Sequence, residues 1–245
     1  MVYLNTFSTT QELGQAAAAY VSTLSAQAIA ARGRFTVALS GGSLPRILGP
    51  ALTAEPQRAQ IDWPRWHIFW ADERCLPLTD PESNYAVARQ YIFEHVNIPP
   101  TQIYPVDDTL APAAAARAYQ DTLAQVFQPD SGQLPSFDLI LLGMGEDGHT
   151  ASLFPGHPLL HERERWVTPI FDSPKPPPAR VTLTLPVLNH ARQVIFITAG
   201  TSKATALAQI FKKMTSPARL PAQMVQPVNG EVHWFVDKAA ASLSQ

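Results

Sequence analysis

Apolar residues along the chain fall into short continuous runs, separated by polar, glycine-bearing turns and by longer segments with helical spacing. The runs at 35–39, 66–71, 137–142 and 194–199 are too short for buried helices. They predict strands with both faces covered, because no polar residue alternates with the apolar ones. Runs at 181–185 and 232–236 predict two further strands. Between them, Thr9-Thr10-Gln11-Glu12 has a capping-box pattern, and an alanine-rich helix follows it to a stop at Gly33. A second helix is expected after Ser40-Gly41-Gly42-Ser43, with Pro45 in its first turn. Ser83 can cap a helix to about Phe93, and 111–127 and 201–213 predict two more. No strand is expected before the first helix, so the chain reads as starting straight into it.

Strands alternating with helices predict an α/β fold with a doubly wound, mostly parallel sheet. No repeat of fixed period and no linker-like change in composition divides the chain, so residues 1–245 are expected to form one domain. The proline-rich stretch 174–178 reads as a semi-rigid surface loop.

Polar and charged residues gather where four predicted strands end. These are Ser40 to Ser43, Asp72 to Arg74, Asp147 to His149, and Gly200 to Lys203. Open α/β sheets bind ligands at the carboxyl ends of their strands. If these four strands are parallel, the four clusters lie along one crevice.

The richest cluster is GMGEDGHTASLFPG, residues 143–156, directly after an apolar run. Gly143, Gly145 and Gly148 match the G-x-G-x-x-G of a dinucleotide-binding turn. That fingerprint needs a long helix opening at the third glycine, whereas Pro155 and Gly156 limit any helix here to about two turns. The acidic residues some twenty positions on, Glu162 and Glu164, follow no strand. A nicotinamide site is therefore rejected, and no cofactor is expected. His149 has an ordinary pKa near ~6.5, which suits a general base at neutral pH, and Asp147 can fix its tautomer. A structural histidine is the alternative reading. A zinc site with His157 and His161 lacks any recognised ligand spacing, so no metal is expected.

The other clusters are individually ambiguous. The Ser40-Gly41-Gly42-Ser43 turn can present backbone N–H groups to a phosphate at a helix N-terminus, or be an ordinary strand-to-helix turn. Arg46, one turn further on, favours the anion site. Lys203 could be solvated surface, and Arg180 a surface end-cap before a strand. Asp72, Glu73 and Arg74 follow a nearly all-apolar strand, so their charges need partners or a ligand. Cys75 beside them has nothing to activate it and reads as a bystander.

Composition narrows the classes. Of 245 residues 46% are apolar and 16% charged, with a net charge of −2, which excludes a disordered chain and gives no basic surface for nucleic acid or membrane. Attraction for an anion must come from a few converging basic groups. A lone cysteine, no signal-like N-terminus and no apolar run near ~20 residues point to a cytoplasmic protein.

Five segments, ALSGGSLPR, WADERCLPLTDPESNY, LGMGEDGHTASLFPG, SPKPPPARVTLTLP and TAGTSKA, resemble successive motifs of the 6-phosphogluconolactonases. LPAQMV and VHWFVDKAA extend the likeness through essentially the whole chain. SGGS and GTSKA are shared with the wider superfamily of sugar-phosphate isomerases and deaminases, whose sheet is a modified Rossmann-like one. The resemblance implies hydrolysis of 6-phospho-D-glucono-1,5-lactone, with His149 activating water, Asp147 orienting it and Arg74 stabilising the developing negative charge. It further implies a phosphate held by Ser40, Gly41, Gly42 and Ser43 with Arg46, Arg180 and Lys203, and Asp72 among the substrate contacts. The implied partner is a small sugar-phosphate lactone, and the protein is expected to be a monomer or a weak homo-oligomer.

Two rivals remain at this level. Glucosamine-6-phosphate deaminases resemble the chain in the SGGS turn, the Asp-Glu pair and the Asp-Gly-His core, but carry a glutamate five residues beyond the histidine. Here that residue is Phe154. A non-catalytic sugar-phosphate effector domain is expected to bring a DNA-binding segment, and none is read here.

Overall fold

The computed structural model describes residues 1–211 and 219–244. In chain order its strands are β1 (Val2–Phe7), β2 (Phe35–Leu39), β3 (Trp66–Trp70), β4 (Asp72–Arg74), β5 (Leu139–Leu142), β6 (Val167–Ile170), β7 (Arg180–Leu183), β8 (Gln193–Thr198) and β9 (Glu231–Asp237). The helices are α1 (Thr10–Arg32), α2 (Leu44–Leu52), α3 (Gln57–Gln60), α4 (Asn84–Tyr91), α5 (Pro112–Phe127), α6 (Leu185–Leu188), α7 (Ala204–Phe211) and α8 (Pro221–Met224). Six strands form one sheet in the order β1-β9-β8-β5-β2-β3, and every neighbouring pair is parallel. A smaller antiparallel sheet has the order β4-β7-β6.

The large sheet is covered on both faces, which is why its central strands read as continuous apolar runs. Val37, Leu39, Ile68, Trp70, Leu139 and Leu141 point to one side, against buried residues of α1, α2 and α4. Ala38, Phe69, Ile140, Leu142 and Phe196 point to the other, against α5 and the inner residues of β6 and β7. The α1 cap is as expected. Thr9 Oγ1 accepts the Glu12 N–H at 3.1 Å, Glu12 accepts the Ser8 N–H at 3.0 Å, and Gly33 ends the helix at φ +73°.

Three expectations need correction. The chain does not start straight into α1: β1 precedes it and pairs with β9 along the sheet edge. Most of its side chains are exposed, so no buried run marked it. Asp72 to Arg74 is not the loose end of a strand but a strand of the second sheet, paired with β7. The run at 181–185 belongs to that antiparallel sheet, and its partner β6, which contains Pro169, gave no apolar signal long enough to notice. The predicted 201–213 helix begins as a 3₁₀ turn and continues as α7; Lys212 and Lys213 lie outside the described residues. Among the described residues no helix is long and apolar enough to cross a membrane.

The two sheets are joined at Ala71. Its N–H donates to Leu39 of β2 at 2.8 Å, and its carbonyl accepts the Leu183 N–H of β7 at 2.8 Å. At the opposite, amino end of the strands, buried Asp138 ties β5 to β2. It accepts the Thr36 N–H at 2.8 Å, the Thr36 Oγ1–H at 2.9 Å and the Arg32 Nε–H at 2.8 Å. Replacing it by alanine leaves buried donors without partners, so Asp138→Ala should cost about 2–3 kcal/mol in a urea titration. A loss below ~0.5 kcal/mol would show that Arg32 and Thr36 find water instead.

Candidate active site

β2, β3, β5 and β8 are all parallel, so the four polar clusters do meet at one end of the sheet. One pocket is lined by Ser40, Gly41, Gly42, Ser43, Asp72, Arg74, His149 and Lys203, together with Arg180 and Lys175. The large sheet supplies its floor and the second sheet its far wall.

The glycine turn after β5 presents His149. Gly145 donates its N–H to the His149 carbonyl at 2.8 Å, and Gly148, at φ +80°, donates to the Gly145 carbonyl at 3.0 Å. Only a residue without Cβ fits at 145, because an added methyl would overlap both the His149 ring and the Asp147 carboxylate. No α-helix follows; the next helical piece is the 3₁₀ turn Pro158–His161. That removes the helix N-terminus on which a dinucleotide site depends.

Asp147 Oδ1 lies 2.5 Å from His149 Nδ1 and also accepts the His149 backbone N–H at 3.2 Å. Nδ1 is thus the donor to the carboxylate, and Nε2 keeps its lone pair. The ring packs on Phe154, with centroids 4.7 Å apart. Burial pulls the imidazole below its ordinary pKa and outweighs the opposing charge and hydrogen bond of Asp147. At neutral pH the ring is therefore a neutral base, oriented by its carboxylate.

Asp72, Ser152 and Arg180 form a buried network beneath the pocket. Ser152 Oγ donates to Asp72 Oδ2 at 2.8 Å, and the Asn84 side-chain amide donates to the Asp72 carbonyl at 2.8 Å. Arg180 is not a surface end-cap but a buried residue that lines the pocket. Only 3% exposed, it donates to the Pro177, Lys175 and Pro176 carbonyls at 3.0, 3.0 and 3.1 Å. These donors, Nε and Nη2, pin the proline-rich loop, while Nη1 makes only a 3.4 Å contact with Ser152 Oγ.

Glu73, between Asp72 and Arg74, has its shortest hydrogen bonds to the backbone, with Ser83 Oγ donating at 3.3 Å. It accepts the N–H groups of Arg74, Asn84 and Tyr85 at 2.7, 2.7 and 2.8 Å, capping α4 and fixing the start of Arg74. Burial pushes its pKa up to about 7 despite these bonds. Arg74 reaches over to the Glu82 carbonyl at 2.8 Å, while its Nε is buried without a partner among the described residues. Ser40 Oγ is likewise buried and unpaired. Cys75 is held up to about 11 by burial and by Glu73, which leaves the thiol protonated.

Arg46 is not brought into the pocket. One turn into α2 its side chain has rotated away, donating to Tyr91 Oη at 2.9 Å and lying over the Tyr91 ring. The basic group in its place is Lys175, whose Nζ lies 2.9 Å from Glu146 at the pocket rim. Sequence reasoning passed over Lys175 because the 174–178 loop carries no periodicity; only the fold brings it back over the strand ends. Lys203 lines the same side, its pKa lowered by burial. His157 pairs with the exposed Asp172 at 3.1 Å, and no group of three or more potential metal ligands occurs among the described residues.

Residues 8–234 match the family model described as glucosamine-6-phosphate isomerases/6-phosphogluconolactonase. The 6-phosphogluconolactonase of Rattus norvegicus is 48% identical over 244 residues, covering 98% of this chain and 93% of that protein. That of Homo sapiens is 47% identical, with 98% and 93% covered. The solved structure of 6-phosphogluconolactonase from Trypanosoma cruzi superimposes with a TM-score of 0.87 at 30% identity, covering 99% of this chain and 96% of that one.

The close packing at Gly145 can be tested directly. Gly145→Ala should break the Asp147–His149 pair while leaving circular dichroism unchanged, and without the carboxylate that raises it the His149 imidazole should titrate still further below its ordinary value by NMR. An unchanged titration would mean that the turn yields without moving the ring.

Proposed function

The chain belongs to the family of glucosamine-6-phosphate isomerases and 6-phosphogluconolactonases, and on that premise we propose that His149 and Asp147 drive hydrolysis of 6-phospho-D-glucono-1,5-lactone to 6-phospho-D-gluconate. The chain thus acts in the oxidative pentose phosphate pathway, with both sheets working as one domain around one pocket. The observation that carries this reading is a neutral imidazole whose Nδ1 is held by a carboxylate and whose ring packs on Phe154.

In the proposed reaction His149 Nε2 takes a proton from water as its oxygen attacks the lactone carbonyl. Arg74 stabilises the oxyanion of the tetrahedral intermediate, and Asp147 the imidazolium. Collapse breaks the bond to the ring oxygen, which receives the proton from His149 and leaves as a hydroxyl. Asp72 and Ser40 contact the sugar. The 6-phosphate lies against the 40–43 turn at the start of α2, with Lys203 and Lys175 as its cations. Arg180 serves indirectly, by fixing the loop that carries Lys175. Contacts to the remote phosphate orient the lactone, so the catalytic end can favour the transition state.

Phe154 separates this reaction from deamination. A lactone is already an electrophilic ester and needs only activated water. An amino-sugar phosphate must be ring-opened and lose a proton from carbon, which demands a further acid–base group. Phe154 is buried against His149 and within 5.7 Å of the Arg180 guanidinium, and it offers no proton.

Four outcomes test the proposal. With 6-phosphogluconolactone, kcat/KM should rise along an acid limb below pH 6.5 to a plateau at neutral pH. His149→Ala should lower kcat ~10²–10⁴-fold. Asp147→Asn should lower the plateau and move the acid limb further down, since Asp147 raises the His149 pKa in the wild type. A limb that moves up would remove Asp147 from its role. Glucosamine 6-phosphate should yield no ammonia; release that depends on His149 would assign the chain to the deaminases.

A further inference from the structure

Outside the catalytic pair, one charged group at the pocket rim has no part in the proposed reaction. Glu146 stands between Gly145 and Asp147, so the glycine turn fixes its backbone on both sides. Its carboxylate is 2.9 Å from Lys175 Nζ, and its charge also acts on Lys203. Lys175 is held equally firmly at its root, because Arg180 grips its carbonyl at 3.0 Å. Lys175 touches this exposed carboxylate directly, and Lys203, from a different loop, feels its charge from farther off.

We propose that Glu146 is an intramolecular competitor for the substrate phosphate, a single negative charge that occupies the Lys175 side of the phosphate subsite until a dianion displaces it. The proposal rests on the phosphate position given above. Displacement is cheap because the carboxylate is 61% exposed and can turn into water. A phosphate dianion offers the lysines twice the charge, whereas a singly charged ligand offers no advantage over Glu146. After turnover the product carries a new carboxylate as well as the phosphate, and Glu146 reclaiming Lys175 assists its departure. The device trades affinity for selectivity and release.

The experiment compares competitive inhibition by inorganic phosphate and by 6-phosphogluconate in four full-length proteins: wild type, Glu146→Gln, Lys175→Met and the double variant. An exposed ion pair supports only a modest effect, so Glu146→Gln should lower both inhibition constants and KM by about two- to fivefold. The gain should shrink as salt is raised toward 0.5 M, and it should vanish in the Lys175→Met background. Lys175→Met alone should raise both inhibition constants. Unchanged constants in Glu146→Gln, with Lys175→Met still weakening phosphate, would overturn the competitor role alone. Unchanged constants in Lys175→Met would overturn the phosphate subsite itself. A gain that persists in the double variant would show that Glu146 acts through some other group.

Discussion

Ala71 is the residue at which one chain belongs to two sheets. Its N–H is the last rung from β2, and its carbonyl accepts from β7. Because both bonds are made by a single peptide neighbourhood, the second sheet has no freedom to slide along the carboxyl ends of the first. Everything on the far wall inherits that position. Asp72 and Arg74 follow Ala71 directly, Arg180 opposes Arg74 in the β4–β7 register, and the proline-rich loop runs into Arg180. A substrate held between the walls therefore meets groups whose spacing is set by backbone hydrogen bonds rather than by flexible side chains.

Electrostatically the pocket separates two tasks. His149 is kept neutral by burial and aimed by a carboxylate, so its proton affinity suits exchange with water near neutrality. The cations sit elsewhere, Arg74 on the second sheet and the two lysines at the rim. The charge of Lys175 still reaches the imidazole and adds to the lowering that burial causes. Glu73 contributes below the surface, ordering Arg74 and α4 through three backbone donors with no cation of its own.

What could be read from the sequence follows from where side chains are buried. β2, β3, β5 and β8 are apolar throughout because helices cover one face and α5 with the second sheet the other, so their runs and the turns after them stood out. β1 is an edge strand with little to bury, and β6 is four residues long with a proline, so neither had a pattern to find. Ser40 to Ser43, Asp72, Arg74, His149 and Lys203, which line one pocket, could be grouped in advance because they follow legible strands. Arg46 was misplaced because helical position gives no rotamer, and Tyr91 took its guanidinium. Lys175 was invisible because it reaches the pocket through a loop whose course depends on the buried Arg180.

The aromatic ring at 154 also bears on how the two chemistries of this family could interconvert. It is sandwiched between His149 and a guanidinium that is already committed to three carbonyls. A glutamate introduced there would face Arg180 at close range in a buried setting, and the ion pair would hold it deprotonated. It would also draw Arg180 off the proline-rich loop. The ring at 154 therefore protects the loop anchor as well as packing on the imidazole, and a carboxylate in its place would loosen the segment that carries Lys175.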